Sequence, residues 1–297
     1  MQLDKTRIAV RERGGIDTFD LTFHVLRTFA PRLIPALLLG ILPFALLNAL
    51  LLGWMDEQLD FNEEGPPFRY LWNYTLLVFF QGPAATIFGV AYLGSAVFRD
   101  EKTVWRIVCE VFSVFPAFFL CQLFLRGTLL ATLMPLIYYH GETHYFLEGF
   151  VYCVLGVYVA FMRALRPFIN EIVVLERNPL RASAPHAMTV NRRSGFLHTP
   201  SGGDLFAQWL GSILVAVVLT NILFWSLFIV NWVMVGNNYP LSPFCLHVLY
   251  PIAIWTTVAY LGVARFLSYL DLRIRQEGWE VELLIKAEAS RLAEKLV

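Results

Sequence analysis

The chain has 297 residues, of which 57% are hydrophobic and only 15% are charged, and its 23 basic and 23 acidic side chains leave no net charge. So few charged side chains cannot cover a soluble globule of this size. The bilayer is therefore the expected solvent, and nothing in the sequence indicates nucleic-acid binding. Residues 33–54 and 205–235 each contain no Lys, Arg, Asp or Glu. Each is long enough to cross a bilayer as a helix, which takes about 20 apolar residues.

The first three predicted spans differ in regularity. Residues 33–54 form an uninterrupted apolar run, whereas the second span, 70–98, contains the break Gln-Gly-Pro-Ala at 81–84. The third segment, 104–139, is interrupted by Pro116, by Arg126–Gly127 and by Pro135. Residues 127–139 are therefore either the far end of a long, kinked third helix or a short half-helix.

The remaining spans are predicted at 145–162, 205–235 and 244–266, with a polar loop at 163–204. Counting 127–139 as a seventh crossing fails on length, since 13 residues are too few. With six crossings, Arg69 lies on one side, Arg126 lies within the membrane, and the other 21 of the 23 Lys and Arg residues lie on the opposite side. This asymmetry follows the positive-inside tendency and predicts that both termini are cytoplasmic.

The segment before the first span, 1–32, is expected to contain an amphipathic helix that lies in the membrane interface. Phe19, Phe23, Leu26 and Phe29 recur at helical spacing within residues 16–30. Asp17 is placed to cap this helix, and we expect Pro31 to end it.

The segment after the last span, 267–297, predicts a cytoplasmic amphipathic helix. Its target is the long loop, a second copy, a different protein or the membrane surface. The loop is rich in arginine, which either attracts anionic lipid headgroups or only sets the topology. The residues predicted to contact a partner or lipid are Arg177, Arg181, Arg192, Arg193, Trp279, Leu284 and Ile285.

Among the polar residues inside the predicted spans, three define a candidate intramembrane polar site: Arg126, Gln81 and Gln122. A charge deep in a span is a functional candidate, although Arg126 can also reach the interface by snorkelling. The Gln-Gly-Pro-Ala break resembles the discontinuous helices of transporters, or is a simple proline kink.

A weak candidate metal site lies in the sequence His-Gly-Glu-Thr-His, where His140, Glu142 and His144 are the densest group of ligand-type residues. Zinc takes His and carboxylate ligands, but the spacing is not that of a metalloprotease helix. A polar loop between helices explains these residues equally well. No cofactor is expected, and the four cysteines show no metal-binding spacing.

Two segments carry a family resemblance. The sequence DLTFHVLRTFAPRLIPALLLGILPF at 20–44 and the sequence YLDLRIRQEGWEVELL at 269–284 resemble bacterial membrane proteins of the glycerophosphoryl diester phosphodiesterase membrane-domain-like family. RPFINEIVVLERNPL at 166–180 is similar to the same group. The resemblance implies an all-α, six-span bacterial inner-membrane protein. It implies no phosphodiesterase activity, because that reaction belongs to a separate soluble barrel for which this chain has no room.

The leading functional expectation is a non-enzymatic scaffold or assembly subunit, whose partners are membrane lipids, further copies of the chain or other membrane and cytoplasmic proteins. The alternative is a transporter or channel for a small molecule or ion. It is supported by the broken second and third segments, by Arg126 and by amide side chains within the spans: Gln81, Gln122, Asn221 and Asn231. A lipid-modifying enzyme is the third possibility and derives from the family resemblance.

Overall fold

The computed structural model of the protein describes residues 14–53, 55, 68–97, 103–138, 145–182, 187–236 and 242–278. Every regular element within these ranges is helical. Five of the helices are long and apolar enough to cross a bilayer, and a bent pair of helices brings the number to six. The prediction of a helical membrane protein is thus confirmed in its general form.

The first helix, α1 (Gly15–Leu52), is continuous from the predicted interfacial segment into the first span. The expectation that Pro31 ends a separate helix is wrong, because Pro31, Pro35 and Pro43 all lie inside α1. Proline removes one helical hydrogen bond, and long apolar helices packed in a bundle tolerate that loss. Asp17 lies in the first turn and accepts a hydrogen bond from the Gly14 backbone N–H at 3.3 Å.

The second span consists of two helices, α2 (Phe68–Ala85) and α3 (Ile87–Val97), which meet at Thr86. The third segment begins with α4 (Val104–Phe119), which continues as a π-helical stretch, Leu120–Leu125. After Arg126 and Gly127 the chain forms α5 (Thr128–Tyr138). Gly127 has φ of +63°, a left-handed conformation that favours glycine. The segment is therefore broken at the Arg126–Gly127 position that the sequence indicated.

The fourth span is α6 (Tyr145–Leu165), and a bend of 64° separates it from a short helical segment, α7 (Ile169–Glu176). Together, α6 and α7 form either one broken span or a re-entrant loop. A second short helix, α8 (Val190–His198), follows. Residues 163–204, which the sequence assigned to a polar loop, thus contain two helical segments, and α7 packs against α3 and α4.

The last two helices are α9 (Gly202–Val235) and α10 (Cys245–Glu277), the latter with a π-helical first turn at Cys245–Leu249. Only Leu205, Phe228 and Asn231 of α9 are buried. A helix that is apolar on all sides and lies at the edge of the bundle is suited to contact lipid. By contrast, α10 packs against α1, α2, α3 and α9 and forms the centre of the bundle.

Glycines allow the central helices to approach closely. A Cβ atom on Gly40 of α1 would lie 2.0 Å from the carbonyl oxygen of Ala85. Similarly, a Cβ atom on Gly262 of α10 would lie 2.6 Å from Cγ2 of Thr86. Helices α1 and α10 therefore both press against the junction between α2 and α3, as small residues permit in membrane bundles.

The N-terminal part of α1 packs within the chain. The Tyr260 hydroxyl donates to the carbonyl oxygen of Phe19 at 2.8 Å, and the Phe23 and Tyr260 rings lie 4.7 Å apart. Part of the apolar face that suggested an interfacial helix is therefore covered by α10.

Candidate functional site

Three helix breaks meet in the interior of the bundle. They are the α2–α3 junction at Thr86, the gap at Arg126–Gly127 and the turn after Leu165. Pro83, three residues before the first break, is the central residue of the 29-residue span Arg69–Val97. Broken helices expose backbone carbonyl groups, and in a membrane protein these must find partners inside the protein.

Arg163 of α6 supplies two of these partners. Because Pro83 has no N–H, the carbonyl oxygen of Phe79 lacks its usual helical donor. Arg163 donates from Nη1 to this oxygen at 2.6 Å and from Nη2 to the carbonyl oxygen of Phe80 at 2.9 Å. Its guanidinium also lies over the Phe79 ring, 4.4 Å from the centroid. The side chain is 9% exposed, so a complete positive charge is buried at the break.

Arg126 is buried as well, with 3% of its surface exposed. Its Nη2 donates to the carbonyl oxygen of Arg166 at 2.7 Å, in the turn between α6 and α7. The Thr128 hydroxyl, two residues later, donates to the carbonyl oxygen of Phe80 at 3.2 Å. Arg126 therefore points into the protein and links the second and third breaks.

Gln122 belongs to the same region. Its Nε2 donates to Asn170 Oδ1, and Asn170 Nδ2 in turn donates to the carbonyl oxygen of Pro83 at 3.0 Å. Gln81 lies on another side of α2, where its Nε2 donates to Asn48 Oδ1 at 2.9 Å and to the Thr132 hydroxyl at 3.4 Å. All three residues of the predicted intramembrane site are therefore buried and hydrogen-bonded.

One carboxylate lies among the arginines. Glu171 of α7 is completely buried, and its Oε1 accepts from Nε of Arg265 at 2.6 Å. Arg265 lies close to the middle of α10, and its side chain is 20% exposed. The two residues are 94 positions apart in the chain.

We call Arg126, Arg163, Arg265 and Glu171 the arginine cluster. The charge of Arg126 interacts with those of Arg265 and Glu171, and the charge of Arg163 interacts with those of Arg126 and Arg265. Three positive groups and one negative group give the cluster a net charge of about +2, since a guanidinium remains protonated. Burying unbalanced charge is costly, so this arrangement favours a negatively charged group nearby.

Several buried polar atoms in this region have no hydrogen-bond partner among the described residues. In the arginine cluster these are Arg163 Nε, Arg265 Nη2 and Glu171 Oε2. Beside it, Gln122 Oε1, Gln81 Oε1 and Asn48 Nδ2 are also without a partner in the described part of the chain. Buried polar groups are normally hydrogen-bonded, so unpaired atoms concentrated around helix breaks mark a candidate binding site.

A second charged group, the ionic network, lies where α7, α8 and the end of α10 meet. Arg193 donates to both carboxylate oxygens of Glu176, at 2.6 and 2.9 Å, and also to Glu277. Arg273 pairs with Glu277 at 2.7 Å, and the Tyr269 hydroxyl donates to Glu176 at 2.6 Å. Two arginines balance two glutamates, so this network is a structural clamp rather than a site for a further ion.

The neighbouring Ser194 and His198 do not form a nucleophile–base pair. His198 Nδ1 lies 3.0 Å from the hydroxyl oxygen of Ser194 and 2.7 Å from its carbonyl oxygen. Because the carbonyl oxygen can only accept, this nitrogen carries the proton. His198 Nε2 accepts from the Phe168 backbone N–H at 3.4 Å. Neither nitrogen is free to take the serine proton, as nucleophilic catalysis requires.

The arginines predicted to contact partners have different environments. Arg177 pairs with Glu110 at 3.0 Å, Arg192 Nη1 donates to the Ala187 carbonyl oxygen at 3.4 Å, and Arg193 lies in the ionic network. Arg181 is exposed. The remaining members of that prediction, Trp279, Leu284 and Ile285, lie outside the described residues, as does the rest of the predicted C-terminal helix.

The weak metal-site candidates His140, Glu142 and His144 also lie outside the described residues. Within the described ranges, no three His, Cys, Asp or Glu side chains are grouped so that they could hold a metal ion.

Sequence reasoning missed Arg163, Glu171 and Arg265 as members of a buried site. It attributed Arg163 and Glu171 to a polar loop and counted Arg265 among the charges of the membrane surface. A usable signal was present for Glu171, since it lies within the apolar sequence Pro-Phe-Ile-Asn-Glu-Ile-Val-Val at 167–174. Arg163 similarly ends an otherwise apolar helical run.

The fold and the apolar helices define a helical, multi-pass membrane protein. Comparison of the chain with models of protein families, with curated proteins and with solved structures finds no match.

Proposed function

We propose that this protein is a transporter or channel that binds an anionic solute at the arginine cluster. The observation that carries the proposal is the excess positive charge of Arg126, Arg163 and Arg265 over the carboxylate of Glu171 among the described residues. Charged groups inside membrane proteins commonly mark the path of a substrate or ion. A bound anion offsets the excess charge and accepts hydrogen bonds from the arginines.

The helix breaks support the same proposal. Transporters bind their substrates where discontinuous helices present backbone and side-chain polar groups within the membrane. Here the breaks near Pro83, Arg126 and Arg166 are joined by hydrogen bonds from Arg126, Arg163 and Asn170. Elements that end inside the bundle can shift relative to one another without unfolding a complete span.

We further propose a six-pass layout with both termini in the cytoplasm of a bacterium and the protein in its inner membrane. In this layout α6 and α7 together form the fourth span, which the 64° bend divides. The ionic network then lies on the cytoplasmic side, and the arginine cluster lies near the centre of the bilayer. The positive-inside distribution and the resemblance to the glycerophosphoryl diester phosphodiesterase membrane-domain-like family support this layout.

Transport is tested with the purified protein in liposomes. We expect uptake of anions, measured with a panel of radiolabelled phosphate, sulfate and carboxylates, to exceed that of protein-free liposomes. Arg126→Gln should reduce uptake at least about tenfold, because it removes a buried charge from the binding site. Arg106→Gln is the matched control, since Arg106 begins the same segment but its side chain is 71% exposed. The proposal fails if no anion in the panel is taken up or bound.

The scaffold or assembly subunit that the sequence favoured remains the second candidate. It is favoured by α9, many of whose apolar side chains are exposed and offer a long surface to another membrane helix. Mild crosslinking followed by affinity purification should then recover a stoichiometric partner or a self-oligomer. Repeated isolation of a lone monomer would count against this candidate.

A lipid-modifying enzyme is the weakest proposal. It is supported by the family resemblance alone, and the described residues offer no catalytic arrangement in its favour.

A further inference from the structure

The Arg265–Glu171 ion pair is made through only one of its two available contacts. Arg265 Nε donates to Glu171 Oε1, while Arg265 Nη2 and Glu171 Oε2 have no partner among the described residues. Arg163 Nε is unpartnered in the same sense, although both of its Nη atoms are used. Glu171 and Arg163 are each more than nine-tenths buried. Two N–H donors and one carboxylate acceptor thus remain open among the residues of the arginine cluster.

These open atoms specify the chemistry of a ligand. A guanidinium N–H only donates, and an ionised carboxylate only accepts. The two open arginine atoms therefore need acceptor oxygens, while Glu171 Oε2 needs a donor. A ligand that satisfies all three atoms therefore offers acceptor oxygens and one O–H donor. A water molecule meets this pattern but leaves the excess positive charge of the cluster in place, whereas an anion that carries one O–H group also offsets that charge.

We propose that the anion bound by the arginine cluster is a phosphate group that retains one proton, and that Glu171 makes the site select phosphate over sulfate. This inference rests on the proposed function, since it names the substrate class of the same site. Hydrogenphosphate has oxygens that accept from Arg163 Nε and Arg265 Nη2 and an O–H that donates to Glu171 Oε2. Its charge of about −2 also balances the excess charge of the cluster.

Sulfate is the informative competitor because its size and charge are close to those of hydrogenphosphate. At neutral pH sulfate has no proton, so each of its oxygens only accepts. A sulfate oxygen facing Glu171 Oε2 would place two acceptors together in a buried site, with no hydrogen bond to offset their repulsion. Sites that hydrogen-bond a ligand hydroxyl reject analogues that lack it, because the buried polar group is left unpaired.

The experiment measures anion binding to the full-length protein in phosphatidylcholine nanodiscs at a pH of about 7.5, by calorimetry and by thermal stabilisation. We expect phosphate to bind and sulfate to bind at least about tenfold more weakly. This comparison uses the wild-type protein and needs no variant to fold.

The role of Glu171 is tested with Glu171→Gln. The glutamine amide can donate to a sulfate oxygen, so we expect phosphate and sulfate affinities to converge to within about threefold. Glu110→Gln is the matched control, since Glu110 pairs with arginines at the exposed start of α4. The control should keep the preference of the wild type for phosphate.

The phosphate can come from a free solute or from a lipid headgroup. Binding of inorganic phosphate to the protein in phosphatidylcholine nanodiscs tests the free solute. Nanodiscs that contain phosphatidic acid, studied below a pH of about 6 where a phosphomonoester keeps one proton, are the arm for the lipid. Phosphatidic acid that competes with inorganic phosphate would identify the headgroup as the source, and a lack of competition would identify the free solute.

The possible failures are distinguishable. Equal binding of sulfate and phosphate by the wild type overturns the inference but leaves an anion site in the arginine cluster. The inference is also overturned, and the anion site kept, if other anions bind or are taken up while neither inorganic phosphate nor phosphatidic acid binds. If no anion binds and none is taken up, the proposed function fails together with the inference.

Discussion

Arg163 donates a hydrogen bond at 2.6 Å to the carbonyl oxygen of Phe79, which Pro83 leaves without its helical donor. A proline in one helix is thereby linked to a buried charge on another helix 80 residues later in the chain. The arginine satisfies the backbone with its two Nη atoms and leaves Nε open. The same residue thus stabilises a broken helix and belongs to the arginine cluster.

This relationship predicts energetic coupling between Pro83 and Arg163. Pro83→Ala restores an N–H that can bond the Phe79 carbonyl oxygen, so Arg163→Met should cost less stability in that background than in the wild type. We expect a coupling energy of about 1 kcal/mol in a double-mutant cycle, measured by denaturant unfolding in detergent micelles. The cycle of Pro116→Ala with Arg163→Met is the control and should be additive, because Pro116 lies in α4 and interrupts a different helix. Equal coupling in both cycles would contradict the account.

The approach of α1 to the α2–α3 junction depends on Gly40. Gly40→Ala places a Cβ atom 2.0 Å from the Ala85 carbonyl oxygen, and backbone atoms cannot move aside cheaply. We expect a loss of about 1–3 kcal/mol in the free energy of unfolding. Gly211→Ala in α9 is the matched control, since its Cβ atom would meet nothing within 4 Å. The control should be neutral or stabilising by up to about 1 kcal/mol, and similar losses at both sites would argue against close packing of α1.

The ionic network should contribute more stability than the exposed pair beside it. Arg193 is 12% exposed and bridges Glu176 and Glu277, so Arg193→Met removes one of the two arginines that neutralise this pair of partly buried carboxylates. We expect a loss of about 3 kcal/mol in thermal or denaturant unfolding. Arg177→Met removes a partner of Glu110 at a site where the arginine is 50% exposed, and should cost about 1 kcal/mol or less. A smaller loss of stability for Arg193→Met than for Arg177→Met would contradict a stabilising role for the ionic network.

The proposed topology predicts a pattern of chemical labelling. On a background without native cysteines, Gly14→Cys and Arg192→Cys should resist a membrane-impermeant maleimide in intact cells, whereas Gly53→Cys at the other end of α1 should react. Permeabilised cells, in which all three positions should react, provide the control. Exposure of positions 14 and 192 on opposite sides of the membrane would overturn the six-pass layout.

Much of the helical framework was predictable from apolar runs. The predicted span 205–235 lies within α9, and the predicted span 70–98 corresponds to α2 and α3. These runs are long, and the exclusion of charge from hydrocarbon is a strong signal. Local rules for helix ends performed less well. Pro31 failed to end α1 because packing against other helices can outweigh the loss of one hydrogen bond.

The candidate site was predictable only in part. Arg126 and Gln122 stood out because they interrupt apolar sequence, and the structure places both in the interior. Arg163 and Glu171 did not stand out, since charges near a predicted loop are ordinarily exposed. Their burial depends on the bend after Leu165 and on Arg265, which lies 94 residues beyond Glu171. Such long-range pairing leaves no periodic signal in a single sequence.

The most direct test of an anion site is an electron cryo-microscopy map of the protein in lipid nanodiscs with phosphate present. We predict density for a bound anion within hydrogen-bonding distance of Arg163 Nε and Arg265 Nη2, in the interior of the bundle. The contradicting result would be a map without density for an anion beside the arginines. In that map Glu171 would accept from both Nε and Nη2 of Arg265, and Arg163 Nε would donate to another group of the protein.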